Sequence, residues 1–243
     1  SIRIGSSGEF VTTPLTLAAN TDQDIYFKGA GSFTIPRRKL VTYLRLFSLG
    51  SSIITGDITG MKLTSLHLQS LGSSVLTGDI TGMELTALHL QSLGSSSVIK
   101  GYINGMNLTY LYLYSLGSSV ITGDITGMKL TTLYLSSIGS SLSYGTNPLN
   151  ITSSNGIQLL GSTVFATAAE YAQLIHDAAT GTWSGVYPFV IQSGTTENCP
   201  DWDEVKADVA VLLTKASWTI IPSAWLTTGG GSWPVTWKEY TEE

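Results

Sequence analysis

A segment of 22 residues recurs through the middle of this 243-residue chain. The copy at residues 120–141 reads VITGDITGMKLTTLYLSSIGSS; related copies begin at residues 53, 75 and 98, and the second half of another begins at residue 41. Self-similarity at a short, fixed period is typical of a solenoid, in which each repeat packs mainly against its neighbours. The sequence therefore predicts a stack of similar coils, here called rungs, with two ends that need covering.

Aliphatic residues recur at three positions of each rung and predict one strand with a buried side. The motif LTxLxLxSL alternates apolar with other residues, which is the period of a half-buried strand. The three columns are Val41, Leu63, Leu85, Leu108 and Leu130, then Leu44, Leu66, Leu88, Leu111 and Leu133, then Leu46, Leu68, Leu90, Leu113 and Leu135. One such strand per rung predicts parallel strands stacked about 4.8 Å apart.

The rest of each rung predicts a return path made of turns and further inward anchors. Glycine follows each strand, where a turn needs a permissive backbone, at Gly50, Gly72, Gly94, Gly117 and Gly139. Two aliphatic columns come next, Ile54, Leu76, Ile99 and Ile121, then Ile58, Ile80, Ile103 and Ile125. All four methionines share one column, Met61, Met83, Met106 and Met128. A complete column of flexible thioethers predicts interior packing between rungs.

The repeat resembles leucine-rich repeats, whose core is LxxLxL. The unit "LTGDI" followed by "GMxLTxLxL" is similar to repeats of bacterial cell-surface proteins and of phage tail or tail-fibre proteins, and the resemblance covers residues 41–160. It implies a repeat solenoid with a concave parallel β-sheet and mostly non-helical return loops. It also implies an extracellular, cell-surface or virion location and a place in a larger polypeptide or assembly. A three-sided parallel β-helix is the alternative architecture.

One departure from leucine-rich repeats concerns the buried asparagine that usually follows the strand. This chain has an aliphatic residue at that position, Leu49, Leu71, Leu93, Leu116 and Ile138. The asparagine's hydrogen bonds to the loop backbone are therefore missing, and buried backbone groups need partners. We predict that the serines of the GSS segments, or water, supply them.

The two ends of the repeat array are predicted to be capped, because a solenoid leaves apolar cross-sections open. Residues 1–40 predict a β N-terminal cap. Residues 161–222 predict an α/β C-terminal cap, similar to the segment after the repeats in the same surface and phage proteins. Thr167 and Glu170 have capping-box spacing before its first helix, and a second helix begins at the acidic segment PDWDEV. Residues 223–243 form a tail rich in tryptophan and glycine.

Composition argues against several function classes. Lysine and arginine total 12 against 17 acidic residues, so the chain lacks the basic surface that nucleic acids require. The single cysteine, Cys199, forms no internal disulfide or zinc cluster. No apolar run approaches 18 residues, so no membrane insertion is predicted. No cofactor or metal is predicted either. The column Asp57, Asp79 and Asp124 fits hydrogen bonding to its own turns, with calcium binding as the alternative.

The residues that vary between copies are those predicted to point outward from the strands. Strand alternation places them on one sheet face: Tyr43, Arg45, Phe47, Ser65, His67, Gln69, Ala87, His89, Gln91, Tyr110, Tyr112, Tyr114, Thr132, Tyr134 and Ser136. Tyrosine is frequent at recognition surfaces, although aromatic residues also have high strand propensity. The predicted ligand-binding residues are Tyr43, Arg45, Phe47, His67, Gln69, His89, Gln91, Tyr110, Tyr112, Tyr114 and Tyr134.

These features predict a non-enzymatic recognition or adhesion module that binds a cell-surface glycan or protein. The outward positions hold no Asp or Glu, whereas glycoside hydrolysis normally needs paired carboxylates. The alternative is a structural spacer within a larger fibre or surface protein. In the third rung an extra Ser97 with Lys100 and Tyr102 predicts a bulge on the return path, and we expect the binding centre next to it.

Overall fold

Short parallel strands dominate the architecture. The computed structural model describes residues 2–4, 25–27, 31–34, 42–47, 52–125, 127–138, 142–144, 157–160, 165–181, 189–191, 197–215 and 219–220. Its strands are β1 (Ile2–Ile4), β2 (Ile25–Phe27), β3 (Gly31–Thr34), β4 (Tyr43–Phe47), β5 (Ser52–Asp57), β6 (Ser65–Gln69), β7 (Val75–Asp79), β8 (Ala87–Gln91), β9 (Val98–Tyr102), β10 (Tyr110–Tyr114), β11 (Val120–Thr122), β12 (Thr132–Ser136), β13 (Ile157–Leu160), β14 (Phe189–Ile191) and β15 (Thr219–Ile220). The helices are α1 (Ala168–Thr180) and α2 (Trp202–Lys215).

Each rung contributes one strand to each of two parallel sheets. The larger sheet has eight strands in the order β15-β14-β13-β12-β10-β8-β6-β4 and contains the LxLxL strands. The smaller sheet has five strands in the order β11-β9-β7-β5-β3 and lies on the return path. β1 and β2 form a separate antiparallel pair. The repeats therefore fold as a parallel β-solenoid, which confirms the predicted repeat solenoid.

The return path is more regular than the sequence indicated. We predicted mostly non-helical loops there, and the described part of the path is non-helical, but it includes the five-stranded sheet. Alternating burial explains the strand: in β7, Val75 and Thr77 are exposed while Leu76 is buried. The inward Leu76, Ile99 and Ile121 are fully buried and give this path the strand period.

The predicted aliphatic columns form a continuous core between the two sheets. In the larger sheet the described leucines of all three columns are at most 2% exposed. The four methionines are 3–7% exposed and join the same cluster, as predicted. Leu71, Leu93, Leu116 and Ile138, which replace the asparagine of leucine-rich repeats, are also buried in it. The core is therefore aliphatic throughout the rungs that the structure describes.

Buried serines satisfy the backbone of the return path. Ser97 Oγ donates to the carbonyl of Ser74 at 2.8 Å and accepts from the backbone N–H of Leu76 at 3.2 Å. Ser119 repeats the arrangement one rung later, with Ser97 O at 3.3 Å and Ile99 N at 2.9 Å. This serine ladder (Ser74, Ser97 and Ser119) confirms the prediction that GSS serines supply partners for the loop backbone.

The corner between the sheets depends on left-handed backbone. Gly94 and Gly117 have φ of 75° and 64°, as their turn role predicts. A Cβ atom on Gly117 would collide with the carbonyl oxygen of Gly94, so the corners also stack backbone on backbone. The serine directly after each of β6, β8, β10 and β12 is left-handed too, with φ of 50–55° at Ser70, Ser92, Ser115 and Ser137. That serine conformation was not predicted from the sequence.

Beyond the repeats the chain continues the larger sheet and adds two helices. β13, β14 and β15 pair in parallel in succession after β12. α1 begins at the predicted capping box, in which Thr167 Oγ1 accepts from Glu170 N and the Glu170 carboxylate accepts from Thr167 N. Its apolar stripe is buried against the core. Neither described helix is long and apolar enough to cross a membrane.

A buried polar contact joins α1 to the last rung. Tyr144 donates its hydroxyl proton to Asp177 Oδ2 at 2.7 Å, and Gln173 donates to Asp177 Oδ1 at 2.8 Å. Burial and the adjacent carboxylate raise the pKa of Tyr144, so the phenol stays a donor. α1 and α2 are linked in turn by His176 and Asp208, 3.0 Å apart. Polar contacts as well as apolar packing thus hold α1 on the solenoid and α2 on α1.

Several predictions lie outside the described residues. They include most of the N-terminal cap over residues 1–40 and all of the tail over residues 223–243. Five of the six tryptophans are there too; only Trp202, at the start of α2, is described, and it packs against the core. The domain boundaries at 41–160 and 161–222 therefore stay predictions.

Candidate functional site

Four aromatic side chains form one continuous stack on the outer face of the larger sheet. Strand register places His67, His89, Tyr112 and Tyr134 directly beside one another on consecutive rungs. Their ring centroids are 3.8, 4.3 and 4.3 Å apart along the series, with interplanar angles of 8°, 12° and 9°. We call these four residues the ring column. Because neighbouring rings cover each other's faces, solvent meets mainly ring edges.

Glutamines hold the two histidines of the ring column in place. His67 Nε2 is 3.3 Å from Gln69 Oε1, and His89 Nε2 is 3.0 Å from Gln91 Oε1. Gln69 and Gln91 are themselves register partners on β6 and β8. With Nε2 donating to the amide oxygen, Nδ1 of each imidazole remains the acceptor. At His89 this acceptor lies 3.4 Å from the hydroxyl of Tyr110.

The tyrosines extend the ring column sideways. Tyr110 lies nearly parallel to His89 and to Tyr112, with centroids 6.0 and 6.5 Å away. Tyr114 is tilted by 60° against Tyr134, at 6.3 Å. Partial burial, followed by the neighbouring phenols, raises the pKa of Tyr112 to about 12. The phenol of Tyr112 therefore stays a protonated hydrogen-bonding group at neutral pH.

The histidines are held in their neutral form. Burial above all, together with the neighbouring His89 and Arg45, lowers the pKa of His67 to about 4, while Gln69 acts in the opposite direction. Burial also lowers the pKa of His89, with Arg45 adding to the shift against the raising effect of Gln91. Near neutral pH, Arg45 is therefore the one cationic side chain among the described outward positions of β4 to β12.

Most predicted ligand-binding residues do lie on one face. Those with described side chains are all half-buried: Tyr43, Arg45, His67, Gln69, His89, Gln91, Tyr110, Tyr112, Tyr114 and Tyr134. Only the backbone of Phe47 is described, where it pairs with Gln69. The prediction of an exposed side chain is wrong at two further outward positions. Thr132 and Ser136 are 6% and 5% exposed, because these small side chains lie beside Tyr110 and Tyr114 of the neighbouring strand.

The third rung does not place its unusual residues beside the ring column. Tyr102 and Lys100 lie on β9, in the smaller sheet, and Tyr102 is 59% exposed there. Because β9 belongs to the other sheet, this part of the predicted binding centre is separate from the tyrosines of β10. The extra residue Ser97 is accommodated at the corner before β9 and takes its place in the serine ladder. The expected bulge on the return path is thus absorbed at the corner, and β9 still pairs with both neighbours.

The stacking itself is the feature that sequence reasoning missed. The signal was present, since the same outward position carries a ring in four consecutive rungs. Rings repeated at about 4.8 Å along parallel strands are close enough to stack face to face.

The aspartate column behaves as a turn element where it is described. Asp57 Oδ1 accepts from Thr59 N, and Asp79 Oδ1 accepts from Thr81 N, both at 2.9 Å. The side chain and backbone of Thr81 lower the pKa of Asp79. Among the described residues no group of three or more His, Cys, Asp or Glu side chains is arranged to hold a metal ion.

Comparison with known proteins gives no match: no family model fits the chain, and neither the curated proteins nor the solved structures include a significant relative. Functional inference therefore depends on the geometry of the two sheet faces.

Proposed function

We propose that the chain is a non-enzymatic recognition or adhesion module that binds a glycan or a surface protein on the outer face of its larger sheet. The ring column and its flanking tyrosines and glutamines carry this proposal. They gather phenol, amide and imidazole groups on one half-exposed face that the rest of the fold holds rigid. Such groups offer contact area and hydrogen bonds at small entropic cost.

The ring edges are the part of this face that a ligand would contact. Each inner ring has a parallel neighbour on both sides, within 4.3 Å. A sugar or peptide would therefore meet hydroxyl, amide and imidazole groups rather than an open aromatic platform. This favours hydrogen-bonded recognition of a polar, extended ligand that runs across the rungs.

The charge of the face supports recognition rather than catalysis. No Asp or Glu occurs at the outward positions, so the acid–base pair of a glycosidase is lacking there. No outward carboxylate orients His67 or His89 as in a hydrolytic triad. The proposal also includes a solenoid of the leucine-rich-repeat type. It further includes an extracellular, cell-surface or virion location and membership in a larger assembly. Nucleic acid and membrane lipid are not proposed as partners.

The proposal is tested by removing hydroxyls without removing rings. After a glycan-array and surface-protein screen identifies a ligand, we expect the triple change Tyr110→Phe, Tyr112→Phe and Tyr134→Phe to weaken binding at least tenfold, with the unfolding midpoint close to that of the original chain. Tyr102→Phe, on the other sheet, is the matched control and should leave affinity unchanged. Full affinity in the triple variant would contradict recognition by this face.

A structural spacer is the second candidate, and the stacking is the observation that favours it. Rings that cover one another stabilise the contact between rungs whether or not a ligand binds. Deletion of residues 75–96 joins Ser74 to Ser97 and removes one rung with His89 and Gln91. A spacer should tolerate this deletion with unchanged assembly, whereas a binding face should lose most of its affinity.

A further inference from the structure

We propose that His67 and His89 make the ring column an acid-sensitive switch, stacked while both imidazoles are neutral and forced apart when they are protonated. The proposal concerns the column itself and needs no ligand. Its effect on recognition rests on the proposed function.

The geometry leaves little room for a second charge. The two imidazole rings are 3.8 Å apart and nearly parallel, so two imidazolium ions would face each other at contact distance. Arg45 lies in the same column one rung earlier, in register with His67. Protonation would therefore create three cations on three consecutive strands, at a spacing of about 4.8 Å.

Among the described outward positions of β4 to β12, no carboxylate offsets that repulsion. The elements packed against the pair present Tyr43 and Arg45 from β4, and Tyr110, Tyr112 and Tyr114 from β10. Burial raises the pKa of Tyr110 and of Tyr112, so these two phenols stay neutral over the acid range. Gln69 and Gln91 oppose the effect only partly, because each supports a single imidazole through one hydrogen bond.

His89 also lies inside the stack that protonation would disturb. His89 contacts His67 on one side and Tyr112 on the other, and its Nδ1 accepts from Tyr110. A proton on Nδ1 removes that acceptor, since both nitrogens of an imidazolium are donors. Protonation of His89 therefore removes the link to Tyr110, and protonation of both histidines places two like charges in the stack.

The direction of the pH dependence follows from linkage. The pKa of His67 is about 4 in the folded chain, against an ordinary value of 6.5. Between these values the unfolded chain binds more protons, so stability rises with pH. The contribution of His67 to the free energy of unfolding is complete above pH 6.5 and is lost as the pH falls from 6.5 toward 4. The pKa of His89 is lowered as well, so it acts in the same direction.

The experiment uses a variant that the repeat itself suggests. β10 and β12 carry Tyr112 and Tyr134 at the same position, so His67→Tyr with His89→Tyr keeps a stacked column and removes both titrating groups. Urea unfolding is measured at pH 7.5 and pH 5 on both proteins. We expect the unfolding equilibrium constant of the original chain to rise on the order of tenfold more than that of the variant, allowing for half exposure.

The variant retains every carboxylate, so acid effects from other groups cancel in the comparison. Histidine titration by NMR on the unmodified chain gives an independent reading, with His67 expected to titrate near pH 4. Equal acid profiles, or titration of both histidines near pH 6.5, would overturn the switch and leave neutral-pH recognition standing. A histidine-dependent profile in a chain that binds no surface ligand at any pH would overturn the recognition proposal alone.

Discussion

The two sheets of the solenoid connect neighbouring rungs in different ways. On the larger sheet large aromatic side chains stack outside the core, in the ring column. On the smaller sheet the corresponding outer face carries Val75, Val98 and Val120, which are 38–48% exposed and take part in no such stack. There the connections are hydrogen bonds between small side chains and backbone, made by the serine ladder and by Thr59, Thr81 and Asn104, whose side-chain oxygens accept from backbone N–H groups of the next rung at 2.9–3.1 Å.

The difference indicates which sheet carries the variable chemistry. Small hydroxyl and amide groups that satisfy buried or turn backbone leave little freedom for substitution. Outward positions on a strand that already has its ladder hydrogen bonds can change without breaking any of them. The larger sheet can therefore vary its outer side chains from rung to rung, while the smaller sheet repeats nearly the same residues.

The largest effect is expected at the corner that joins the two sheets. Gly117→Ala should lower the free energy of unfolding by roughly 2–5 kcal/mol, since the left-handed backbone alone costs about 1–2 kcal/mol and overpacking adds about 1–3 kcal/mol. Gly82→Ala is the control, because Gly82 is also left-handed but a Cβ there meets nothing within 4 Å. Chemical denaturation should show the difference. Equal losses would mean that the stacking of corner on corner contributes nothing.

An intermediate effect on stability is expected when a tyrosine is replaced by alanine on the larger sheet, and the same replacement on the smaller sheet serves as its comparison. Tyr112→Ala removes two stacked ring contacts and should cost about 2–3 kcal/mol, since each such pair contributes about 0.5–1.5 kcal/mol beyond area burial. Tyr102→Ala, on the smaller sheet, should stay within about 0.5 kcal/mol as an exposed site. Thermal or urea unfolding measures both. A comparable loss at Tyr102 would remove the contrast between the sheets.

The smallest effect is expected in the serine ladder. Ser97→Ala leaves the N–H of Leu76 and the carbonyl of Ser74 without their hydroxyl partner and should cost about 1–2 kcal/mol. Ser96→Ala, at its exposed neighbour, should change stability by less than about 0.5 kcal/mol. Hydrogen exchange at Leu76 gives a local measurement, and faster exchange is expected only in the Ser97 variant. Unchanged protection at Leu76 would show that the hydroxyl is dispensable.

The sequence was sufficient for the parts of the fold that depend on periodicity. A period of two inside a period of 22 determines which leucines face inward, and the columns at Leu44 and Leu46 are buried as predicted. The methionine column and the capping box at Thr167 were also readable, because each has one simple packing or hydrogen-bonding explanation. The need for serine partners followed from the absence of asparagine at Leu71 and its equivalents.

The remaining features depend on contacts between rungs, which a single rung does not display. The five-stranded sheet was missed because glycines interrupt its apolar pattern, as at Gly78 and Gly101. The left-handed serines, such as Ser92, have no distinctive neighbours in sequence. The position of Tyr102 on the other sheet depended on that missed strand. The ring column was visible only when the outward residues of successive rungs were aligned with one another.

The serine ladder also gives the array a direction. The hydroxyl hydrogens of Ser97 and Ser119 point toward the preceding rung, while the oxygens receive a backbone proton from that same rung. A hydroxyl turned the other way would lose the carbonyl to which it donates, and both serines bond in the same sense to the rung before them. The hydrogen bonds of the serine ladder therefore all run in one direction along the stack. An added rung would fit only with its hydroxyl facing back toward the amino terminus.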